Sequence, residues 1–257
     1  MVDFTRPVTH TGYKNAEKLK KHYHRVYKQI TELPYDLRKG IDIKNIEDKK
    51  SWYADNHFMS IPNTGNATPF VFGGAFYLVA SIFIIGYVKD GTLKPFEIFL
   101  FVLSSLLAIF FTIYYFTKPK KEEILNRRDG LITIPGVLWQ KNITIPFKEC
   151  LFVYSTGGED GTGAYSLQVM RPSKSKFGTL EDFSVGQGYC YKDMSFICWY
   201  MDKNRPLPPG TAFDAYRDWD YERRKAAGFP RPLYPSNIAT PEATKEQQAE
   251  RKRIGGW

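Results

Sequence analysis

From residue 70 to residue 117 almost every position is apolar, whereas the stretches on either side alternate and carry most of the charge. Residues 70–88 (FVFGGAFYLVASIFIIGYV) contain no charge, and residues 95–117 contain a single acid, Glu97. A hydrocarbon core of about 30 Å takes about 20 helical residues, so each run is long enough to cross a bilayer. A backbone in lipid must satisfy its own hydrogen bonds, which selects helix over strand despite the many Phe and Ile. The intervening KDGTLK at 89–94 has room only for a tight turn. The pattern therefore predicts a transmembrane hairpin over 70–117, with spans at 70–88 and 95–117. Gly73, Gly74 and Ala75 on the first span and Ser104, Ser105 and Ala108 on the second predict close helix packing. Glu97 lies within a turn of Lys94, where it reaches water or a partner, so it reads as an edge residue rather than an intramembrane functional acid.

Before the hairpin, residues 14–33 place Leu19, Tyr23, Val26, Tyr27 and Ile30 on one stripe among lysines and Arg25, a helical period. Such a basic helix either lies on an anionic membrane surface or packs its stripe on a soluble domain. Residues 52–69 carry Pro62, Asn63, Gly65 and Pro69 and read as an ordered linker. After the hairpin the period changes to strands at 131–135, 137–147, 151–155 and 164–171, with a glycine-rich turn at 157–163. Helical patterns return at 193–204, with Asp193 as N-cap, and at 211–228. The second of these turns Phe213, Tyr216 and Trp219 or Tyr221 inward and stops at Gly228. Residues 236–257 are polar and are expected to order poorly without a partner. The fold class expected is thus an α+β membrane protein: a two-helix hairpin followed by an antiparallel β domain with C-terminal helices. Its segments are 1–69, 70–117, 118–235 and a tail, 236–257.

Charge sets the expected orientation. The chain has 36 Lys and Arg against 27 Asp and Glu, a formal +9. Lysines and arginines collect on the cytoplasmic side of membrane proteins, which explains this excess without nucleic acid, for which no zinc-finger or stacking motif is present. The turn at 89–94 holds two lysines, whereas Lys118, Lys120, Lys121, Arg127 and Arg128 follow the second span and twelve Lys and Arg precede the first. Both termini are therefore expected in the cytoplasm. Residues 1–11 lack the apolar core of a secretory signal, so insertion is expected to use the internal spans. Cys150, Cys190 and Cys198 form neither a disulfide framework nor a zinc spacing and read as buried thiols. Asn66 and Asn142 lie in N-x-T sequons that a cytoplasmic orientation leaves unused.

Residues 126–153 (NRRDGLITIPGVLWQKNITIPFKECLFV) run as charged turn, strand, turn, strand and strand, and resemble a bacterial pleckstrin-homology-like domain. The wider layout, with WYADNHFMSIPNTG at 52–65 before the spans and RDGLITIPG at 128–136 after them, resembles two-span membrane proteins associated with type VI secretion loci. That resemblance implies a place in a bacterial inner membrane and an immunity or accessory role toward a toxic effector.

No G-x-S-x-G, HExxH or Walker sequence occurs, and no histidine lies beyond His57 to serve as a base. GGEDGTG at 157–163 lacks the GK[ST] ending of a phosphate loop. Asp214 and Asp218 would share a helix face and could hold a cation, although alternating charge more often marks a solvated face. No catalytic, cofactor or metal residue is assigned. Three functions stay open: a membrane-anchored module binding a protein, an effector or secretion component; a scaffold or lipid-headgroup reader; and a membrane-surface enzyme. The first is preferred, with Glu159 and Asp160 in the turn and Arg217, Arg223 and Arg224 on the later helix as partner-binding residues. The hairpin is also a possible homo-oligomer contact.

Overall fold

The computed structural model describes residues 3–13, 24–37, 53–154, 156, 165–172 and 179–257. Two compact units emerge: one formed by Met1–Pro62, Glu122–Pro135 and Ile143–Trp257, the other by Asn63–Lys121 and Gly136–Asn142. The first unit holds two antiparallel sheets. In chain order its strands are β1 (His24–Val26), β2 (Tyr53–Ala54), β3 (Phe58–Ile61), β4 (Glu123–Asn126), β5 (Leu131–Ile134), β6 (Ile143–Pro146), β7 (Phe152–Tyr154), β8 (Gln168–Met170) and β9 (Leu180–Asp182). One sheet runs β2-β3-β4-β5-β6 and the other β1-β7-β8-β9.

Two departures from the sequence reading follow. His24–Val26 is a strand paired with β7, so the helix expected over 14–33 does not extend through its second half; residues 14–23 lie outside the described residues. The supposed linker before the spans instead folds into β2 and β3, which pair in the register Tyr53↔Ser60 and Ala54↔Met59. β3 then pairs with β4, from Phe58↔Asn126 to Ile61↔Glu123. Segments on both sides of the apolar region thus build one sheet. Met59 and Ile61 join the apolar core, while Phe58, next to Met59 and so on the opposite face of the strand, is buried against Phe4 and under the Arg128 guanidinium. The exposed edge of β6 is covered by the chain before β1: Thr9 N–H donates to Thr144 O at 2.9 Å and Thr144 N–H to Thr9 Oγ1 at 2.9 Å.

Helix α3 (Cys190–Met201) is buried over ten of its twelve residues and shares one apolar core with both sheets. Its N-cap is Tyr189, and Asp193 sits inside the first turn rather than capping it. The three cysteines are free and buried, as read from their spacing. Burial raises the thiols of Cys150 and Cys198 far above their ordinary value, so both stay protonated.

After α3 come a 3₁₀ turn (Thr211–Tyr216), α4 (Arg217–Ala226) and α5 (Lys245–Gly255). Phe213 and Tyr221 are buried, Trp219 is 49% exposed, and Gly228 takes φ +73° just past the helix end. The tail expected to order poorly instead forms α5. Thr244 Oγ1 caps it by accepting from Gln247 N–H, and Trp257 Nε1–H donates to Phe229 O at 2.9 Å. A network of buried charge draws this region together. Arg127, after β4, donates to the carbonyls of Tyr200 and Arg205 and lies 3.2 Å from Asp220 Oδ1. Asp220 also accepts from Arg224 Nε at 2.8 Å, and Arg224 grips Glu242 through both terminal nitrogens at 2.7 and 2.8 Å. Glu242 accepts in turn from Arg251 Nη1 at 2.9 Å. A polar helix pattern near the end of a sequence looks solvated, but here the arginine–carboxylate pairs are its core.

The second unit contains α1 (Thr68–Asp90) and α2 (Pro95–Thr117), joined by a turn in which Gly91 has φ +72°. Each is 23 residues long, roughly 34 Å at 1.5 Å per residue, and apolar enough to cross a membrane. Only 11% of each apolar window is buried within the protein, unlike the core helix of a soluble domain. Gly73 and Ala80 on α1 and Ser104 and Ala108 on α2 are buried, while Gly74 and Ala75 face outward. Phe111 stacks on Phe72 and Phe76, and Tyr77 and Thr112 hydroxyls meet at 3.1 Å. Ser81, Thr112 and Thr117 return their hydroxyl protons to carbonyls four residues earlier, leaving few polar groups exposed on the apolar faces. Glu97 accepts the Lys94 backbone N–H at 2.8 Å, capping α2 at its edge.

Removing Asp220 should leave Arg127 and Arg224 buried without their shared carboxylate. Asp220→Ala is expected to cost about 3–5 kcal/mol, the usual loss on breaking a buried ion pair. Burial alone would raise the Asp220 carboxyl, but the charges of Arg127 and Arg224 outweigh it and hold the group below its ordinary 3.8. Its stabilising contribution is therefore present above that value and lost as pH falls through the lower folded value. Thermal unfolding of the solubilised chain across acid pH should show a shallower acid limb for Asp220→Asn than for the native chain.

Candidate functional site

The surface best furnished for recognition lies where β1, β7 and the start of α3 converge. Register places His24 opposite Tyr154, and their rings stack with centroids 4.9 Å apart. Cross-strand aromatic pairs of this kind add to strand pairing while leaving one ring face outward. Tyr165 stacks on Tyr154 at 5.7 Å, and Tyr191 meets Tyr154 edge-on at 5.9 Å. Tyr189 continues the series against Tyr191 at 6.4 Å. Tyr165 is 53% exposed and Tyr191 39%, so these are contact faces rather than core rings.

Backbone constraints hold the cluster in place. Tyr165 has φ +61°, an uncommon conformation for a bulky residue, and its carbonyl accepts the Cys190 N–H at 2.8 Å. That bond ties Tyr165 to the first turn of α3, which carries Tyr191. Tyr189 donates its hydroxyl proton to the Glu32 carboxylate, which raises the phenol to about 12. The hydrogen bond with Tyr154 likewise raises Tyr191. Lys192 places its ammonium 3.3 Å from the ring centre of Tyr35, and Tyr35 N–H donates to Gln187 Oε1 at 2.6 Å. Behind the cluster, buried Asp193 accepts from the backbone N–H of Val185 and Gln187 at 2.9 and 3.0 Å and from Ser184 Oγ at 3.0 Å. Burial raises the Asp193 carboxyl despite these three hydrogen bonds.

The arrangement suits binding. Tyrosine offers a wide, stiff, amphipathic face with only two side-chain torsions to immobilise, and it is enriched at protein interfaces. Neutral phenols flanked by Glu32 and Lys192 supply both donors and acceptors.

The partner residues expected from sequence fall elsewhere. Glu159 and Asp160 lie outside the described residues, although the turn that carries them connects Tyr154 to Tyr165. Arg224 is 1% exposed and belongs to the buried network, so it cannot meet a partner. Arg217 is fixed by the carbonyls of Leu207, Pro208 and Gly210, with Asp214 on its Nε. Arg223 is half-buried and donates to Lys203 O and Asp220. Asp214 sits on the 3₁₀ turn and Asp218 on α4, and Asp214 is paired with Arg217 Nε at 2.9 Å. Among the described residues, no three His, Cys, Asp or Glu side chains cluster as metal ligands. A cleft of about 340 Å³ lined by Arg205, Thr240, Gln248, Arg251 and Trp257 adjoins the buried network. Its arginines commit their terminal nitrogens to protein acceptors, and Arg251 Nε, though without a partner, is fully buried.

The sequence does carry a trace of the tyrosine cluster. Tyrosines bracket the glycine-rich turn at 154 and 165, and Tyr189 and Tyr191 straddle the cysteine that starts α3. Only the strand pairing brings the two sets together. No family model, curated protein or solved structure matches this chain.

Asp193→Ala should leave the Val185 and Gln187 amides buried without an acceptor, at a cost of about 1–3 kcal/mol. Hydrogen exchange should then accelerate at those two amides and at the start of α3, while the amides of β4 and β5 stay protected.

Proposed function

We propose that this protein is a membrane-anchored binding module that captures another protein on its tyrosine surface. The tyrosine cluster is the observation that carries the reading: exposed, mutually stacked, backed by buried hydrogen bonds, and built from residue types that dominate interface energetics. In this reading α1 and α2 cross a bacterial inner membrane as a hairpin, supported by their length, apolar character and outward-facing side chains. The pairing of β3 with β4 supports placing both flanks of the hairpin on one side of the bilayer, since a strand ladder cannot form across a membrane. The lysines and arginines that follow α2 support the cytoplasm as that side. The two antiparallel sheets with a helix packed on them agree with a pleckstrin-homology-like plan, although strands before the hairpin also contribute. The resemblance to two-span proteins of type VI secretion loci extends the proposal to a partner that is a toxic effector or a component of its delivery.

Affinity purification of the detergent-solubilised chain from its host, followed by mass spectrometry, tests the reading. A stoichiometric protein should be retained, and Tyr165→Ala with Tyr191→Ala should weaken its capture about tenfold or more, at least about 1.4 kcal/mol. The same pair of substitutions should leave membrane retention unchanged and lower the thermal midpoint only by the loss of the exposed ring contacts, about 0.5–1.5 kcal/mol per pair. Recovery of lipid alone would sink protein capture and favour a headgroup-binding scaffold.

Orientation is tested separately. In intact cells, a membrane-impermeant maleimide should label Thr92→Cys in the hairpin turn and should label Glu246→Cys only after lysis. Labelling of Glu246→Cys before lysis would overturn the orientation.

A further inference from the structure

The loop Gly136–Asn142 belongs to the same compact unit as α1 and α2, although eighteen residues of chain separate it from the end of α2. Trp139 Nε1–H donates to Thr117 Oγ1, on the last residue of α2, at 2.7 Å. Its ring lies edge-on to Tyr114 at 4.9 Å and to Phe110 at 5.9 Å. The loop backbone is tied down by Lys121, whose ammonium donates to Gly136 O at 2.7 Å and Gln140 O at 2.6 Å, and by Asn142 Nδ2, which donates to Lys120 O at 3.0 Å. A Cβ at Gly136 would come within 2.2 Å of Lys141 O, so the loop closes tightly on itself there. At its tip Leu138 adopts φ +46°, a conformation that a branched apolar residue rarely takes.

This strained, pinned loop turns its apolar groups outward: Leu138 is 48% exposed and Trp139 43%. In water such an arrangement gains nothing from hydrophobic burial. At the level where an apolar helix leaves lipid, it fits the headgroup region, where indole rings place an apolar face toward the acyl chains and an N–H toward polar partners. The exposed Lys141 flanks it with charge suited to anionic headgroups, while Lys118 donates to Gly65 O and Asn66 O and lies over the Tyr114 ring.

We infer that the loop Gly136–Asn142 is a third membrane contact, seating Leu138 and Trp139 in the lipid headgroup region beside the end of α2. The inference rests on the reading of α1 and α2 as bilayer spans.

The test uses the full chain in vesicles of phosphatidylcholine and phosphatidylglycerol whose acyl chains are brominated close to the headgroup. Native tryptophan emission should contain a lipid-quenched component that Trp139→Phe loses, since Phe keeps the packing and removes the indole. If the two chains show the same lipid-quenched component, and the emission lost in Trp139→Phe is instead quenched by aqueous acrylamide, the indole faces water and the inference is overturned. Alkaline carbonate extraction separates this failure from failure of the spans. A chain retained in the vesicle pellet leaves the spans standing whatever Trp139 reports, whereas a chain released to the supernatant removes both readings together.

Discussion

The ladder between β3 and β4 is the constraint on which the rest of the molecule depends. Four residue pairs, Phe58↔Asn126 through Ile61↔Glu123, fix the point where the chain leaves the sheet beside the point where it returns. Joining two strands across a long excursion costs loop-closure entropy, which grows only slowly with length. A helical hairpin lowers that cost further, because α1 and α2 pack antiparallel and bring their own ends together. Sheet and hairpin therefore support the same closure. Once β3 and β4 are paired, β2 and β5 have an edge on which to add, and β6 completes the sheet. The carboxamide of Asn126 and the backbone of Arg127 follow directly, with Arg127 N–H donating to His57 O at 2.8 Å. That bond places the Arg127 side chain under the carbonyl end of α3.

Buried charge then organises the part of the chain with the least apolar material. Four buried arginines, Arg127, Arg205, Arg224 and Arg251, interleave with Asp202, Asp220 and Glu242. Well-packed apolar residues could stabilise such a core as much or more, because desolvating each ion offsets most of the attraction. Geometry is what the ions add. Bidentate pairing of Arg224 with Glu242 accepts one relative placement of α4 and the segment before α5, and the fork of Arg127 joins the last turn of α3 to the segment that follows it. A region poor in Leu and Ile thereby acquires a single arrangement.

This is also where sequence reasoning reached its limit. Long apolar runs declare themselves because lipid or core must receive them, so the two helices were legible to within a few residues of their ends. Of the strands after the hairpin, β5, β6, β7 and β8 fall inside the segments expected from β-branched runs and turn residues, whereas β4 and β9 lie outside them. The strands before it were not legible, since YA and FMSI are too short to show a period and become strands only by pairing with one another and with β4. The charged helices misled for a different reason. Arg224 and Asp220 sit one turn apart, as solvated pairs do, and nothing local reveals that Glu242 and Arg127 wait on their buried side. Nominating Arg224 for a partner surface followed from that missing tertiary information. The tyrosine cluster was hidden in the same way: each ring is ordinary alone, and the cluster exists only because β1, β7 and α3 meet.

The two kinds of outward-facing aromatic group differ in a way that bears on their roles. Tyr165, Tyr189 and Tyr191 carry hydroxyls, sit among Glu32 and Lys192, and rest on a loop fastened by Asp193. Such a surface stays hydrated when empty and exchanges water for a partner at modest entropic cost, which suits reversible capture. Leu138 and the exposed Phe116 have no polar group to offer, and Trp139 has already given its one donor to Thr117. A surface of that composition gains little from water and has no directional bonds with which to choose a protein. It fits a medium rather than a partner. The chemistry of the side chains thus divides the exposed aromatics into a hydrogen-bonding set and an apolar set, which is the division that the proposed capture and anchoring require.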